Sequence, residues 1–102
     1  MAIALVAGCV GQSSTLPTQT NSVSIRNSAF DPADITVTAG TTVAWTNDDS
    51  TAHTVTSDTN SIFDSGNLNP GQTFTHTFSD AGTFAYHCNY HASMHGRVTV
   101  TG

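Results

Sequence analysis

The chain has 102 residues and a net charge of −5, with seven Asp, no Glu, no Lys and only Arg26 and Arg97 as permanent cations. That length sets one domain, and so few cations exclude binding to a nucleic-acid backbone, which needs clustered Lys and Arg to release counterions. Apolar residues make up 37% of the chain and recur at regular intervals, so a disordered chain is excluded as well.

The N-terminal segment 1–9, "MAIALVAGC", is small and apolar and ends in Val-Ala-Gly-Cys. It resembles the lipobox of a secreted lipoprotein, in which the chain is cut before the cysteine and the thiol is lipidated. The positive flank of a secretory signal is missing, and the bland alternatives are a short signal remnant or a strand. The expectation is an exported, extracytoplasmic chain whose membrane contact is an acyl anchor at Cys9, since no apolar run approaches the roughly 20 residues of a spanning helix. Residues 10–22, "VGQSSTLPTQTNS", are polar and aperiodic and read as a flexible linker. The folded domain is expected over 23–102.

From Val23 onward the apolar period is two. Val23 and Ile25, Ile35 and Val37, Val43 and Trp45, then Val98 and Val100 alternate with polar neighbours. "HTVTS" sets His53, Val55 and Ser57 on one side, "TFTHTFS" sets Phe74, His76 and Phe78 together, and "TFAYHC" does the same for Phe84, Tyr86 and Cys88. Such alternation marks half-buried strands, and the abundant Thr suits their wet faces. Breakers fall between the runs at Asp31-Pro32, Ala39-Gly40, Ser65-Gly66, Pro70-Gly71 and Asp80-Ala81-Gly82. About seven short strands with regular turns predict an all-β chain folded as an antiparallel Greek-key β-sandwich.

Between Tyr86 and Gly96, "YHCNYHASMHG" gathers His87, Cys88, His91, Met94 and His95. Thiolate, imidazole and thioether form a soft donor set, and two His, one Cys and a weak axial Met are the donors of a blue-copper centre. Cys88 and His91 supply two of these and Met94 a third. His53, at the mouth of a strand, is the best candidate for the second imidazole. If Cys9 belongs to an anchor, Cys88 is unpaired in an oxidising compartment, and a metal gives it a purpose.

The order Trp-Thr-Asn, then Ala-His-Thr-Val, then Pro-Gly-x-Thr-Phe, then Cys-x-x-His-x-x-Met resembles the cupredoxins of the plastocyanin, amicyanin and halocyanin kind over most of Val23 to Thr101. The resemblance implies a cupredoxin-like sandwich, one type 1 copper ion held by His53, Cys88, His91 and Met94, single-electron exchange with redox partner proteins, and His91 as the electron port. The short spacing from His91 to Met94 is similar to the ligand loop of amicyanin. Thr54 stands where plastocyanin-like proteins often carry Asn, so its support of the Cys loop is open. A copper redox enzyme acting on a small molecule such as a nitrogen oxide is the alternative, through an open axial site or a second copper in an oligomer. A copper-storage module is a third reading, opposed by the presence of only two Met.

The remaining histidines have blander expectations. His76 is read as a hydrogen-bonded core residue and His95 as a loop residue. His87 points away from Cys88 along the strand, so it serves a second metal or none. Asp48, Asp49 and Asp58 are candidates to face a basic partner.

Overall fold

The computed structural model describes residues 19–59 and 62–102, so the lipobox-like segment and most of the expected linker lie outside the described residues. Among the described residues eight strands follow in chain order: β1 (Ser22–Arg26), β2 (Ala29–Asp31), β3 (Asp34–Thr38), β4 (Thr41–Asn47), β5 (Thr56–Ser57), β6 (Thr73–Phe78), β7 (Gly82–Cys88) and β8 (His91–Thr101). They form two four-stranded sheets, ordered β2-β1-β4-β6 and β3-β8-β7-β5. The all-β sandwich expected from the alternation is therefore present.

Not every pairing is antiparallel. Four of the six are, but β1 runs parallel to β4 and β3 parallel to β8. Period-two alternation specifies which side chains face inward and is blind to the direction of the neighbouring strand. The turn at Ala39-Gly40 shows how the chain changes sheets. Ala39 N–H donates to Thr101 O of one sheet and Gly40 N–H to Phe78 O of the other, at 2.8 and 2.7 Å. Gly40 sits at φ +94°, a conformation that penalises any Cβ.

The inward faces form one core from both sheets, including Val23, Ile25, Ile35, Val43, Trp45, Phe78, Tyr86, Val98 and Val100. Trp45 is its centre, with Phe63, Phe74, Phe78 and Tyr86 rings at centroid distances of 5.5 to 6.3 Å. Burial pushes the Tyr86 phenol up to about 12. The two arginines are used outside this core, Arg26 on Asp31 and Arg97 on Asp34.

Two expectations change in detail. "HTVTS" is not one alternating strand: His53, Thr54 and Val55 are all buried, and only Thr56–Ser57 pairs in a ladder. The reason is that this stretch is covered on both sides, by the Cys88 loop and by the 63–68 segment. His76 is half-buried and lies against Phe63 and Phe78, at 5.1 and 4.7 Å between ring centroids. Among the described residues it makes no side-chain hydrogen bond, and burial alone lowers its pKa.

Candidate metal centre

The site lies where the β7–β8 hairpin meets the segment after β4. Cys88 pairs with His91 across a tip of two residues, Asn89 and Tyr90. The next pair along β7, His87, opposes His95, so one step on β7 spans four residues on β8. Ala92, Ser93 and Met94 are thus extra residues bulged from the ladder. The bulge lets the chain hold Cys88 and His91 close together before regular pairing resumes. Met94 lies buried in it.

His53 arrives from the segment between β4 and β5, outside both ladders. It is completely buried and pinned by an isolated antiparallel bridge, its N–H donating to Leu68 O at 3.1 Å and its C=O accepting from Leu68 N at 2.8 Å. Asn47, at the end of β4, fastens the same region. Its carboxamide donates to Thr51 O and Leu68 O at 2.8 and 2.9 Å, and its oxygen accepts from Asp49 N–H at 2.9 Å.

These elements converge on three atoms. Cys88 Sγ is 3.7 Å from His53 Nδ1 and 3.8 Å from His91 Nδ1, and the three donors all lie within 4.8 Å of one another. With bonds of about 2.3 Å to thiolate and 2.0 Å to imidazole, a trigonal metal opening ~120° sets each S···N separation at ~3.7 Å. Both S···N separations thus already match those that a bound first-row metal requires. The softness of the donors suits a metal that cycles between a thiolate-loving and an imidazole-loving state.

The outer contacts orient these donors. His53 Nε2 is 3.0 Å from Asp49 Oδ2, so the proton resides on Nε2 and the Nδ1 lone pair faces the sulfur. Asp49 is itself held, by the Ser28 N–H at 2.9 Å and the Ser50 N–H at 3.0 Å. The Ser28 N–H, the His53 ring and the Ser50 N–H, in that order, hold the Asp49 carboxyl below the usual carboxylate range. Ser28 belongs to the two-residue turn joining β1 to β2, whose residues Asn27 and Ser28 both have φ near +54°. We expect Asp49→Ala to weaken metal binding by about 10–100-fold, because the imidazole loses the partner that fixes its tautomer and raises its basicity. Competitive metal titration checks this.

Thr54 answers the question left by its departure from Asn. Its backbone N–H donates to Cys88 Sγ at 3.4 Å, and its hydroxyl accepts from Asn89 N–H at 2.8 Å. The segment after His53 is thereby stitched to the Cys loop.

The other histidines stay apart. His87 lies on the opposite face of β7 from Cys88, with Nδ1 on Asp58 and Nε2 2.9 Å from Asn89 Oδ1. His95 is exposed. Among the described residues His53, Cys88 and His91 are the group of three donors that gathers at metal-binding distance. The hydrogen bond to Asp58 raises the His87 pKa. A raised folded pKa adds stability that is complete below the unfolded value and is lost as pH rises through the folded one. Both side chains are about a third exposed, so Asp58→Asn should cost the metal-free protein only ~0.2–1 kcal/mol at about pH 5.5. The difference should shrink by about pH 9, as read from denaturant midpoints.

Two supporting residues were not singled out from sequence for these roles. Asp49, a sequence candidate to face a basic partner, turns inward onto His53; Asp48 and Asp58 are likewise bonded within the chain, to Ser24 and His87. The available signal was a carboxylate four residues before a ligand histidine. Asn47 was noticed only as part of Trp-Thr-Asn, and its burial is the feature that explains it.

A two-sheet sandwich that presents His, Cys and His from two loops at one end defines a class of redox metal domains. The comparisons agree. Residues 1–100 match the family model of the Cupredoxin-like domain, and the chain belongs to that family. It is 34% identical over 83 residues to plastocyanin of Scenedesmus fuscus, covering 70% of this chain and 85% of that one. It is 30% identical over 107 residues to amicyanin-alpha of Methylorubrum extorquens, covering 95% and 85%. Among solved structures, a purple cupredoxin from Nitrosopumilus maritimus superposes with a TM-score of 0.76 at 33% identity, over 80% of this chain and all of that one.

Proposed function

We propose that this protein is a mononuclear type 1 copper carrier of single electrons, with His53, Cys88 and His91 as the equatorial ligands and Met94 as the axial one. The observation that carries the reading is the donor triangle, already set at 3.7 and 3.8 Å around one sulfur. Copper, when bound, supplies the one-electron couple. The chain supplies rigidity. His53 is locked by Asp49 and Leu68, and Cys88 is locked by the Thr54 amide. Donors that are fixed before the electron arrives have little to rearrange when it does.

Electron entry is read at His91. His53 is fully buried, whereas His91 is only partly so and adjoins Tyr90, which is 53% exposed. A redox partner protein that docks over this tip meets the more exposed of the two imidazoles. Plastocyanin and amicyanin relatives support the carrier role over an enzymatic one.

The reading extends to an exported chain tethered by an acyl group on Cys9, supported by Val-Ala-Gly-Cys at 6–9 and the polar stretch that follows. Mass spectrometry of membrane-extracted protein tests it: a mature chain that retains an unmodified residue before Cys9 removes the anchor.

Titrating the metal-free protein with Cu(II), followed by visible and EPR spectra, tests the central claim. One equivalent producing an intense blue thiolate band with narrow copper hyperfine splitting is expected. A one-equivalent band displaced towards green or purple would open the axial position and favour small-molecule chemistry. No thiolate band would overturn the assignment of Cys88.

A further inference from the structure

Thr54 does not end its hydrogen bonding at the Cys loop. Its hydroxyl is 3.1 Å from Thr56 Oγ1, and Thr56 Oγ1 is 3.2 Å from Asp64 Oδ1. Asp64 Oδ1 also accepts from Gly66 N–H at 3.0 Å. A continuous path therefore runs from the amide next to the cysteine ligand, through two hydroxyls, to an exposed carboxylate on a separate loop. We propose that Asp64 and Thr56 are positioning residues for the metal loop, acting through Thr54.

The path has one consistent direction, and both ends impose it. An ionised carboxylate can only accept, so Thr56 gives Asp64 its single hydroxyl proton. Thr56 Oγ1 then has lone pairs alone for Thr54, and Thr54 gives its proton to Thr56. The Thr54 oxygen is left as a pure acceptor, which is what Asn89 N–H at the other end requires. Each bond polarises the next, and the carboxylate charge strengthens the set. Without the Thr56 hydroxyl, the Thr54 hydroxyl loses its partner; without Asp64, Thr56 keeps that contact but loses the acceptor that fixes its donor direction.

The backbone makes the arrangement rigid enough to matter. Residues 63–65 clamp the Thr56 segment: Ser57 N–H donates to Phe63 O, Ser65 N–H to Val55 O, and Val55 N–H to Ser65 Oγ, all between 2.8 and 2.9 Å. Thr54 is buried, so its hydroxyl has no bulk water to substitute for Thr56. Its amide is the one that reaches Cys88 Sγ, so whatever fixes the Thr54 rotor and peptide also fixes the donor on the ligand sulfur.

The role at the metal rests on the copper reading above, but the relay itself can be read without metal. Amide hydrogen exchange at Asn89 is to be measured in the metal-free protein for wild type, Thr56→Val, Thr56→Ser and Asp64→Ala. Cu(II) affinity and the thiolate band are then measured for the same four. Val keeps the β-branched shape on a half-buried edge strand, and Asp64 is exposed, so the fold is retained. We expect Thr56→Val and Asp64→Ala to speed Asn89 exchange about tenfold or more, to lower Cu(II) affinity by about 10–100-fold and to shift the thiolate band. Thr56→Ser should restore the exchange rate and the affinity to within about twofold and return the thiolate band to its wild-type position. Asn89 exchange and copper affinity both unchanged in Thr56→Val, or a Ser variant that fails to restore them, would overturn the relay. A wild type that takes up no copper would instead overturn the copper reading, while the Asn89 exchange still judges the relay.

Discussion

Cys88→Ser should abolish the intense thiolate-to-copper absorption while leaving the metal-free fold in place. Serine matches cysteine in shape, and the buried Thr54 N–H that now meets Sγ at 3.4 Å would find a hydroxyl oxygen instead. The cost to folding is therefore confined to about 1 kcal/mol. At the metal the change is far larger. The serine hydroxyl stays protonated near neutrality and is a hard donor, whereas the thiolate is ionised and soft. Two imidazoles remain, so Cu(II) is still held, but in a tetragonal nitrogen–oxygen environment with wide hyperfine splitting. Affinity should fall beyond the ~10–100-fold that loss of an outer hydrogen bond costs. Spectra of the loaded variant beside an unfolding curve of the metal-free one check both halves. A Ser variant that keeps the intense band would show that the sulfur of Cys88 is not the donor.

How much of this was legible beforehand follows from the range of each interaction. Val23, Ile25, Ile35, Val37, Val43, Trp45, Val98 and Val100 are buried, as their alternation requires, because which face a strand residue occupies is a local property with period two. Cys88 and His91 were legible from spacing, since a short hairpin brings them together whatever the rest of the fold does. His53 is a candidate from its place in the sequence at the mouth of a strand and from the resemblance, and the structure sets its Nδ1 beside Cys88 Sγ across 35 positions of sequence. The supporting contacts were not legible. Asp49 on His53, the Thr54 amide on Cys88 and the path through Thr56 to Asp64 all depend on how loops from different strands are registered in space. Periodicity carries no information on that register. The bulge at Ala92–Met94 is hidden for the same reason, because an unpaired insertion reads as ordinary strand or loop.

Gly96 is the sharpest example of a position whose importance only the cross-strand register reveals. It lies opposite Tyr86 in the β7–β8 ladder. A Cβ built on Gly96 would stand 2.3 Å from both Cζ and Oη of Tyr86 and 2.7 Å from Cε2. These are inside van der Waals contact, so one strand or the ring must move. The ring has nowhere to go. Tyr86 is fully buried, with Phe30 edge-on at 4.7 Å and Trp45 edge-on at 5.5 Å. Its hydroxyl lies near the Trp45 indole, although neither polar atom makes a well-formed hydrogen bond among the described residues. Overpacking of this kind costs about 1–3 kcal/mol and more where the backbone must shift, so Gly96→Ala should lower the melting temperature by about 10–20 °C. Strain in β8 would also reach the ligands, since the bulge holding Met94 begins two residues before Gly96 and His91 lies just beyond it. Loaded Gly96→Ala should release copper faster than wild type. The cause is checked with a double-mutant cycle: Tyr86→Leu alone opens a cavity, yet combined with Gly96→Ala the loss should be well below the sum, because each change relieves the other. Tyr86→Phe removes Oη but leaves the ring carbon at 2.3 Å, so it should rescue only in part. A Gly96→Ala protein within about 0.5 kcal/mol of wild type would mean that β8 yields easily, and that the close packing of glycine on tyrosine does not hold the ligand hairpin in place.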